Sequence, residues 1–393
     1  MTPSARLQAA TELLDAIIDA ARNEGSPADR LISSYFRERR YAGSKDRRAV
    51  RELVYRAIRY CGDIPDNGRA AMLGLSQTDP TLLQLFDGSR HGPDPVGEAE
   101  IPATSGVAPA WLANELRASG VSEEEMQAMS GRAALDIRVN TLKADREELD
   151  LPEDGEPLAV LQALRFSPGT PVEQWDAYRD GRIEVQDHGS QLACLAAEAR
   201  PGETVIDLCA GAGGKTLALA AAMQNRGELV ACDTDLRRLS KLAPRAKRAG
   251  AGIITERLLN PKWEMEMLDD FIARADLVLV DAPCSGTGTW RRKPEAKWRL
   301  TPKRLARYSD LQDRLLDLAA KLTRRGGRIA FVTCSLLDGE GSDRVAAFLD
   351  RHSDWSAEPS NLPLGRERGK GTRLDPFHDG TDGFFIAILR SSC

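Results

Sequence analysis

Histidine is scarce in this chain, with four in 393 residues, and its seven cysteines include no CxxC pair. Without closely spaced Cys and His ligands the usual zinc patterns are excluded, and no metal is expected. An odd set of widely spaced thiols also gives no disulfide framework. Long apolar runs are missing as well. No stretch approaches the roughly 18 uncharged residues a membrane-spanning helix needs. The opening MTPSARLQAATELLDAIIDA carries acids inside its apolar stretch and no small-residue cleavage site, so it does not read as a secretory signal, and a cytoplasmic location is expected. An excess of positive charge is lacking too. The net charge is −5, which taken over the whole chain speaks against a nucleic-acid partner. What remains is a composition of 42% hydrophobic and 29% charged residues, ordinary for globular protein, at a length that suggests two or three domains.

The first of these is helical. Leu7, Leu14, Ile17, Ile18 and Ala21 recur at helical spacing, and so do Leu31, Ile32, Tyr35 and Phe36, then Val50, Leu53, Val54, Ala57 and Ile58. We read residues 1–97 as a small all-α domain. A stretch rich in Pro, Gly and acids, GSRHGPDPVGEAEIPATSG, is the clearest linker and opens a small α+β connector over 98–180. From 181 to 393 short apolar strands alternate with helices: TVIDLC, GELVACD, GIITERL, ADLVLVD, GGRIAFVTC and a late GFFIAIL. That alternation predicts an α/β doubly wound, Rossmann-like parallel sheet with helices on both faces.

The first strand of that domain runs into Asp207-Leu-Cys209-Ala210-Gly211-Ala-Gly213-Gly214-Lys215-Thr216. Glycines let the backbone turn tightly before a helix N-terminus. It is not a P-loop, because Cys209 stands where the first glycine is required, and a dinucleotide loop fits imperfectly. With Asp233 at the end of the second strand to accept ribose hydroxyls, the loop points to an adenosine-type cofactor, either a dinucleotide or S-adenosylmethionine.

Two of the seven cysteines fall at strand ends. Cys284 lies in Asp281-Ala-Pro-Cys284-Ser and Cys334 in Thr-Cys334-Ser. All strands of a parallel sheet end on one edge, so the two thiols share a crevice with the glycine loop if their strands are neighbours. Hydride transfer has no use for such a pair. Methylation at carbon 5 of a pyrimidine does. A thiolate adding to carbon 6 makes carbon 5 nucleophilic, and a base must afterwards remove the carbon-5 proton. Cys61, Cys194, Cys209, Cys232 and Cys393 are read as ordinary packing or surface residues.

The set DLCAGAGGKT, DAPCSGTG followed by WRRKPEAKW, and TCS after GGRIAFV resembles the RsmB/Sun (Nop-type) family of RNA cytosine-5 methyltransferases. RVNTLK, VQDHGSQLA and DGFFIAIL resemble the family's flanking motifs, and the similarity covers about residues 130–393. The resemblance implies S-adenosyl-L-methionine as cofactor, Cys334 as nucleophile, Cys284 assisting proton removal, Asp281 holding the cytosine, and Lys215 close to cofactor and base. The implied cofactor contacts are Asp207, Cys209, Ala210, Gly211, Gly213, Gly214, Lys215, Asp233, Arg238 and Asp281. The acid that the family places after the third strand is missing from ITERLLNPKW, where Asn260 is the candidate substitute. SKDRRAVRELVYRAIRY resembles the NusB-type RNA-binding domain of the bacterial 16S rRNA enzymes, which favours ribosomal RNA as partner over tRNA or DNA. A non-catalytic ribosome-assembly factor is the alternative of a different class, and a monomer is expected.

Charge is unevenly spread. Residues 36–60 hold nine basic and three acidic side chains, 288–308 eight and one, and 236–250 six and none. Basic side chains neutralise phosphates and aromatic rings stack on unpaired bases. Arg47, Arg48, Arg291, Arg292, Lys293, Lys297 and Trp298 are therefore the candidate RNA contacts, with the 288–308 run expected to border the catalytic crevice.

Overall fold

The computed structural model describes residues 1–393 and divides into two compact units. One comprises residues 1–131 together with 289–301, the other residues 132–288 and 302–393.

The first unit is built on helices α1 (Pro3–Arg22), α2 (Ala28–Glu38), α3 (Ser44–Tyr60), α4 (Gly68–Ser76), α5 (Ala110–Ala118) and α6 (Glu123–Ala128). The apolar positions read at helical spacing form its core. Leu7, Leu14, Ile17, Ile18, Ile32, Val54 and Ile58 are at most 2% exposed. The opposite face of α3 carries exposed Lys45, Arg48 and Arg51. The expected boundary at 97 is not observed. Backbone bonds from Ala103 N to Ala70 O (2.9 Å) and from Gly106 N to Tyr60 O (2.9 Å) tie the Pro/Gly-rich stretch to the helices. Residues 98–131 thus belong with the helices, and only 132–180 join the α/β unit.

A second departure concerns residues 289–301. Trp298 is 3% exposed and packs inside the helical core, where its indole Nε1 donates to Gly62 O at 3.2 Å. Lys297 is 2% exposed and donates to Val107 O at 3.0 Å. The segment is further pinned by Ala28 N to Glu295 Oε1 (3.3 Å) and by Arg299 to the carbonyls of Gly25 and Ser26. Indole and aliphatic stem bury apolar area here instead of facing solvent.

The second unit opens with a four-stranded antiparallel sheet, β2-β3-β1-β4, made from β1 (Leu135–Val139), β2 (Glu156–Pro157), β3 (Ala163–Phe166) and, after α7 (Asp176–Arg179), β4 (Ile183–Val185). There follow α8 (His188–Ala197), β5 (Thr204–Asp207), α9 (Gly214–Ala222), β6 (Glu228–Asp233), α10 (Leu236–Leu239), α11 (Leu242–Ala249), β7 (Ile254–Leu258), α12 (Glu264–Met267) and β8 (Ala275–Asp281). The chain continues through α13 (Pro302–Leu322), β9 (Thr323–Thr333), α14 (Ser342–Arg351), β10 (Trp355–Glu358), β11 (Arg366–Arg368), β12 (Gly371–Leu374) and β13 (Phe384–Ser391). The large sheet runs β11-β12-β13-β9-β8-β5-β6-β7, with β10 also on β13.

Strands β5 to β9 are parallel, as expected, but β13 pairs antiparallel with β9, so the sheet is mixed. Alternate residues of the parallel strands serve opposite faces. Val205, Leu229 and Leu277 pack with α8, α9 and α11, while Ile206, Val230 and Val278 pack with α13 and α14. Chain order reverses at β5, which has β6 on one side and β8 on the other. Ligands of open α/β sheets bind outside the strand C-termini at such a switch point. No helix is long and apolar enough to cross a membrane.

Because Trp298 fills the helical core, Trp298→Ala should cost about 3–5 kcal/mol of folding stability. Denaturant unfolding measures this, and a loss below about 0.5 kcal/mol, as for a surface residue, would contradict the burial.

Candidate functional site

The C-terminal ends of β5, β6, β8 and β9 carry the residues singled out from the sequence. After β5 the chain turns through Gly211 and Gly213, both at positive φ. At Gly213 φ is +86°, and an added Cβ would lie 2.2 Å from Leu242 Cδ1, so this turn requires glycine. Gly213 is the N-cap of α9, whose first residues are Gly214 and Lys215. The loop is anchored by Ala210 N to Cys232 O (2.8 Å) and by Gly211 N to Asp233 Oδ2 (2.8 Å). The other oxygen of Asp233 accepts from Asp235 N at 2.8 Å. Asp233 therefore holds the glycine loop, and its remaining lone pairs are what it can offer a ligand. Arg238 lies 3.9 Å from the Asp233 carboxylate and is largely exposed. Cys209 stands in the loop itself, where burial holds its thiol well above the usual range. Asn260 follows β7 and is exposed, its backbone N–H directed at Met267 Sδ.

Beneath the loop Asp207 is 1% exposed. Thr216 Oγ1 donates to its Oδ2 at 2.7 Å, and its Oδ1 has no partner. Burial pushes this carboxyl up to about 7, against the pull of the Thr216 bond. An orphaned, buried carboxylate oxygen is complementary to a cationic group such as the α-ammonium of an amino acid.

The two cysteines meet because β8 and β9 are adjacent and parallel, with Asp281 opposite Val332. Cys334 follows β9 directly, Cys284 lies three residues past the end of β8, and the sulfurs are 3.4 Å apart. Both are partly accessible. The turn after Cys284 is pressed close to β13. Gly288 N donates to Cys334 O (3.0 Å), and Gly383 N donates to Gly288 O (2.8 Å). A Cβ on Gly288 would sit 2.0 Å from the carbonyl oxygen of Gly383, so only glycine fits. Lys215 reaches across from α9 and donates to Asp281 Oδ2 at 2.7 Å, with its ammonium 5.5 Å above the Phe384 ring. Burial alone would lower the lysine's pKa, but Asp281, Cys194 and Cys334 outweigh it and hold the ammonium above its ordinary value. The hydrogen bond to Cys334 and burial push the Cys284 thiol well up, and the charges of Cys334 and Glu340 add to this.

Cys334, Cys284, Asp281 and Lys215 thus form one cluster at the strand ends, with Asp207 and Asp233 beside it on β5 and β6. Sequence reasoning missed Phe384, Cys194 and the buried Glu340. The serines that follow each cysteine in the two motifs were the available clue to Glu340, since both their hydroxyls end on it.

The RNA candidates divide. Arg47, Arg48 and Lys293 are exposed, although Arg47 Nε also donates to Ala42 O at 2.8 Å. Arg291 and Arg292 are half-buried, and Arg291 O accepts from Arg59 Nη2. Lys297 and Trp298 are core residues of the helical unit and are withdrawn as RNA contacts. Burial lowers the Lys297 ammonium to about 7. Residues 289–301 of the 288–308 run fold with the helices.

An order of β7-β6-β5-β8-β9 with an antiparallel strand beyond it is the Rossmann-like architecture of S-adenosylmethionine-dependent methyltransferases. The solved structure of the protein PH0851 matches 99% of this chain and 99% of its own, at a TM-score of 0.74 and 25% identity. NSun6 from Pyrococcus horikoshii matches 72% of this chain and 98% of its own at 0.64 and 20% identity, which speaks to the fold alone. The family model described as 16S rRNA methyltransferase RsmB/F matches residues 194–390, half of the chain. The chain belongs to this family. It is 41% identical over 211 residues to the ribosomal RNA small subunit methyltransferase B of Thermus thermophilus, covering 53% of this chain and 50% of that one. To a probable ribosomal RNA small subunit methyltransferase B of Synechocystis it is 34% identical over 279 residues, 66% of this chain and 60% of the other. The chain thus spans about half to three-fifths of the length of these curated relatives.

S-adenosylmethionine is the cofactor of this fold and family, and the orphaned Asp207 oxygen suits its methionine ammonium. The unliganded carboxyl holds its proton up to about pH 7, whereas a cationic ligand favours the ionised form. If that ammonium pairs with Asp207, binding of S-adenosylhomocysteine should release a proton below pH 7. Its affinity should rise with pH between about 5 and 7 and then level off. Calorimetry on the protein and on Asp207→Asn checks this. A flat profile for the unsubstituted protein, or an unchanged slope in the variant, would contradict it.

Proposed function

We propose that this chain methylates carbon 5 of a cytosine in RNA, most specifically in small-subunit ribosomal RNA, through a covalent bond from Cys334 to carbon 6. The observation that carries the reading is the 3.4 Å contact between Cys284 and Cys334 beside the Lys215–Asp281 pair. Two thiols in contact beyond the ends of β8 and β9 serve no hydride or simple transfer chemistry, and pyrimidine carbon-5 methylation uses one to add and one to assist removal. The names of the relatives, ribosomal RNA small subunit methyltransferases, support ribosomal RNA as the substrate.

Asp207, the glycine loop and Asp233 hold the cofactor. When bound, S-adenosylmethionine supplies the methyl group that carbon 5 takes up. The chain's own residues do the rest. Lys215 places its ammonium near Cys334, and the thiolate is the form in which a cysteine attacks. That sulfur adds to carbon 6, and the ring's electron pair moves to carbon 5. Asp281, with 31% of its side chain exposed, offers an acceptor to the amino edge of the cytosine. Cys284 is a strong proton acceptor once its own proton has passed to water. It takes the carbon-5 proton, the C–H electron pair restores the C5–C6 double bond, and Cys334 leaves as thiolate. The exposed basic face of α3 contributes phosphate contacts. An unpaired cytosine is the accessible target, since one in a duplex has to be flipped out.

Labelled S-adenosylmethionine and deproteinised small-subunit rRNA, followed by bisulfite mapping, test the reading. One methylated cytosine is expected, and absence of label from every RNA offered would overturn it. Cys334→Ala should abolish transfer. Cys284→Ala should accumulate an RNA–protein adduct that survives denaturing gels, and normal turnover by that variant would remove Cys284 from its role. Replacing Arg48 and Lys293 by Glu should weaken RNA binding and flatten its dependence on salt by about one unit of slope per lost phosphate contact. An unchanged slope would rule these two out as phosphate contacts.

A further inference from the structure

Two cysteines on different loops stay in contact only if something fixes both loops, and backbone pairing of β8 and β9 stops short of either sulfur. Beyond the strands the two loops converge on one carboxylate. Glu340 is 1% exposed and lies in the turn after the second cysteine motif. Its Oε1 accepts from Ser285 N at 2.8 Å. Its Oε2 accepts from the hydroxyls of Ser285 and Ser335, the latter at 2.7 Å. Ser285 and Ser335 are the residues immediately after Cys284 and Cys334. The two hydroxyls also lie 3.3 Å apart, and Thr287 Oγ1 is 3.1 Å from that of Ser335 while accepting from Leu336 N at 2.9 Å. Thr333 Oγ1 donates to the backbone carbonyl of Glu340 at 3.1 Å, and Gln312 Nε2 holds Pro283 O at 2.9 Å. A buried carboxylate is costly unless it is hydrogen-bonded, and this one accepts three bonds from the two cysteine loops, with Gln312 of α13 beside it as well.

We propose that Glu340 is a positioning residue that clamps the Cys284 and Cys334 loops together and so sets the sulfur-to-sulfur distance on which the reaction depends. The proposal rests on the two-thiol reading above for its catalytic meaning, though not for its geometry. Glu340 is sealed behind the two loops. It acts through Ser285 and Ser335. Its charge also lies near Cys284, whereas the Lys215 ammonium lies near Cys334.

Glu340→Ala removes all three acceptor bonds. Glu340→Gln keeps the shape and an acceptor for Ser285 N, and the serine hydroxyls can rotate to accept from its amide. The first readout needs no RNA. Phenylarsine oxide binds two neighbouring thiols at once, forming two arsenic–sulfur bonds and releasing water. The full-length protein should take up one arsenical at Cys284 and Cys334, seen by peptide mass. Glu340→Ala should capture it at least about tenfold more slowly, and Glu340→Gln at close to the unsubstituted rate. In methyl transfer, kcat of Glu340→Ala should fall about 100-fold, the order expected for an ångström of misplacement. Its KM for S-adenosylmethionine should hold within about threefold, because the glycine loop is untouched, and Glu340→Gln should recover most of the rate. If Glu340→Ala does not fold, Ser285→Ala/Ser335→Ala removes two of the three bonds, including the only one from Ser335, and should also slow capture. Wild-type capture rates in a folded Glu340→Ala or in the double serine variant would overturn the proposal. Capture by the unsubstituted protein without any RNA methylation would instead count against the proposed function and leave the clamp standing.

Discussion

Everything in the site follows from the side-by-side, parallel pairing of β8 with β9. Their register sets Asp281 opposite Val332, so residues three and two positions further on leave the sheet at the same height. A shift of one residue would turn one thiol to the other face. The register is protected by full burial, since Leu277 to Val280 and Ile329 to Val332 are all 0% exposed and divide between the helical layers on the two faces. Strand order then supplies the rest. β5 lies beside β8 and sends Lys215 across to Asp281, and β6 lies beside β5 and sends Asp233 under the glycine loop.

The charges at this edge are arranged in pairs of unequal solvation. Asp281 is ion-paired and partly exposed, while Asp207 is sealed with one oxygen unpaired. A low-dielectric pocket with an unmatched negative group is primed for a cation. An accessible carboxylate next to an ammonium suits a neutral base with an amino edge. The same economy of buried acids recurs at Glu340, whose carboxylate accepts three bonds from the cysteine loops.

Much of the α/β unit was legible because its signals are local. Five apolar strands, a glycine turn and two strand-end cysteines could each be read from short windows, and parallel topology brings strand ends together without further information. The antiparallel β13 was readable as a strand but not as to direction, which short apolar runs do not encode. Residues 289–301 were misread for a different reason. Lys297 and Trp298 look like an RNA-facing pair because charge and aromaticity describe composition, not partner. Only the tertiary fold shows that their stems and rings are core. Glu340 was invisible because its partners are serines fifty-five and five residues away. The overall charge of −5 likewise says nothing about a surface on which α3 presents Lys45, Arg48 and Arg51 outward.

The central claim is that Cys334, and not Cys284, bonds to the base. The most direct measurement uses rRNA in which cytidine is replaced by 5-fluorocytidine, whose carbon-5 fluorine cannot leave as a proton, with S-adenosylmethionine present. After nuclease and protease digestion, mass spectrometry identifies the peptide that carries the modified nucleotide. A methylated fluorocytidine on the peptide containing Cys334 is the predicted result. The same adduct on the Cys284 peptide would reverse the roles of the two thiols, and a protein that methylates cytosine yet forms no adduct would contradict covalent catalysis.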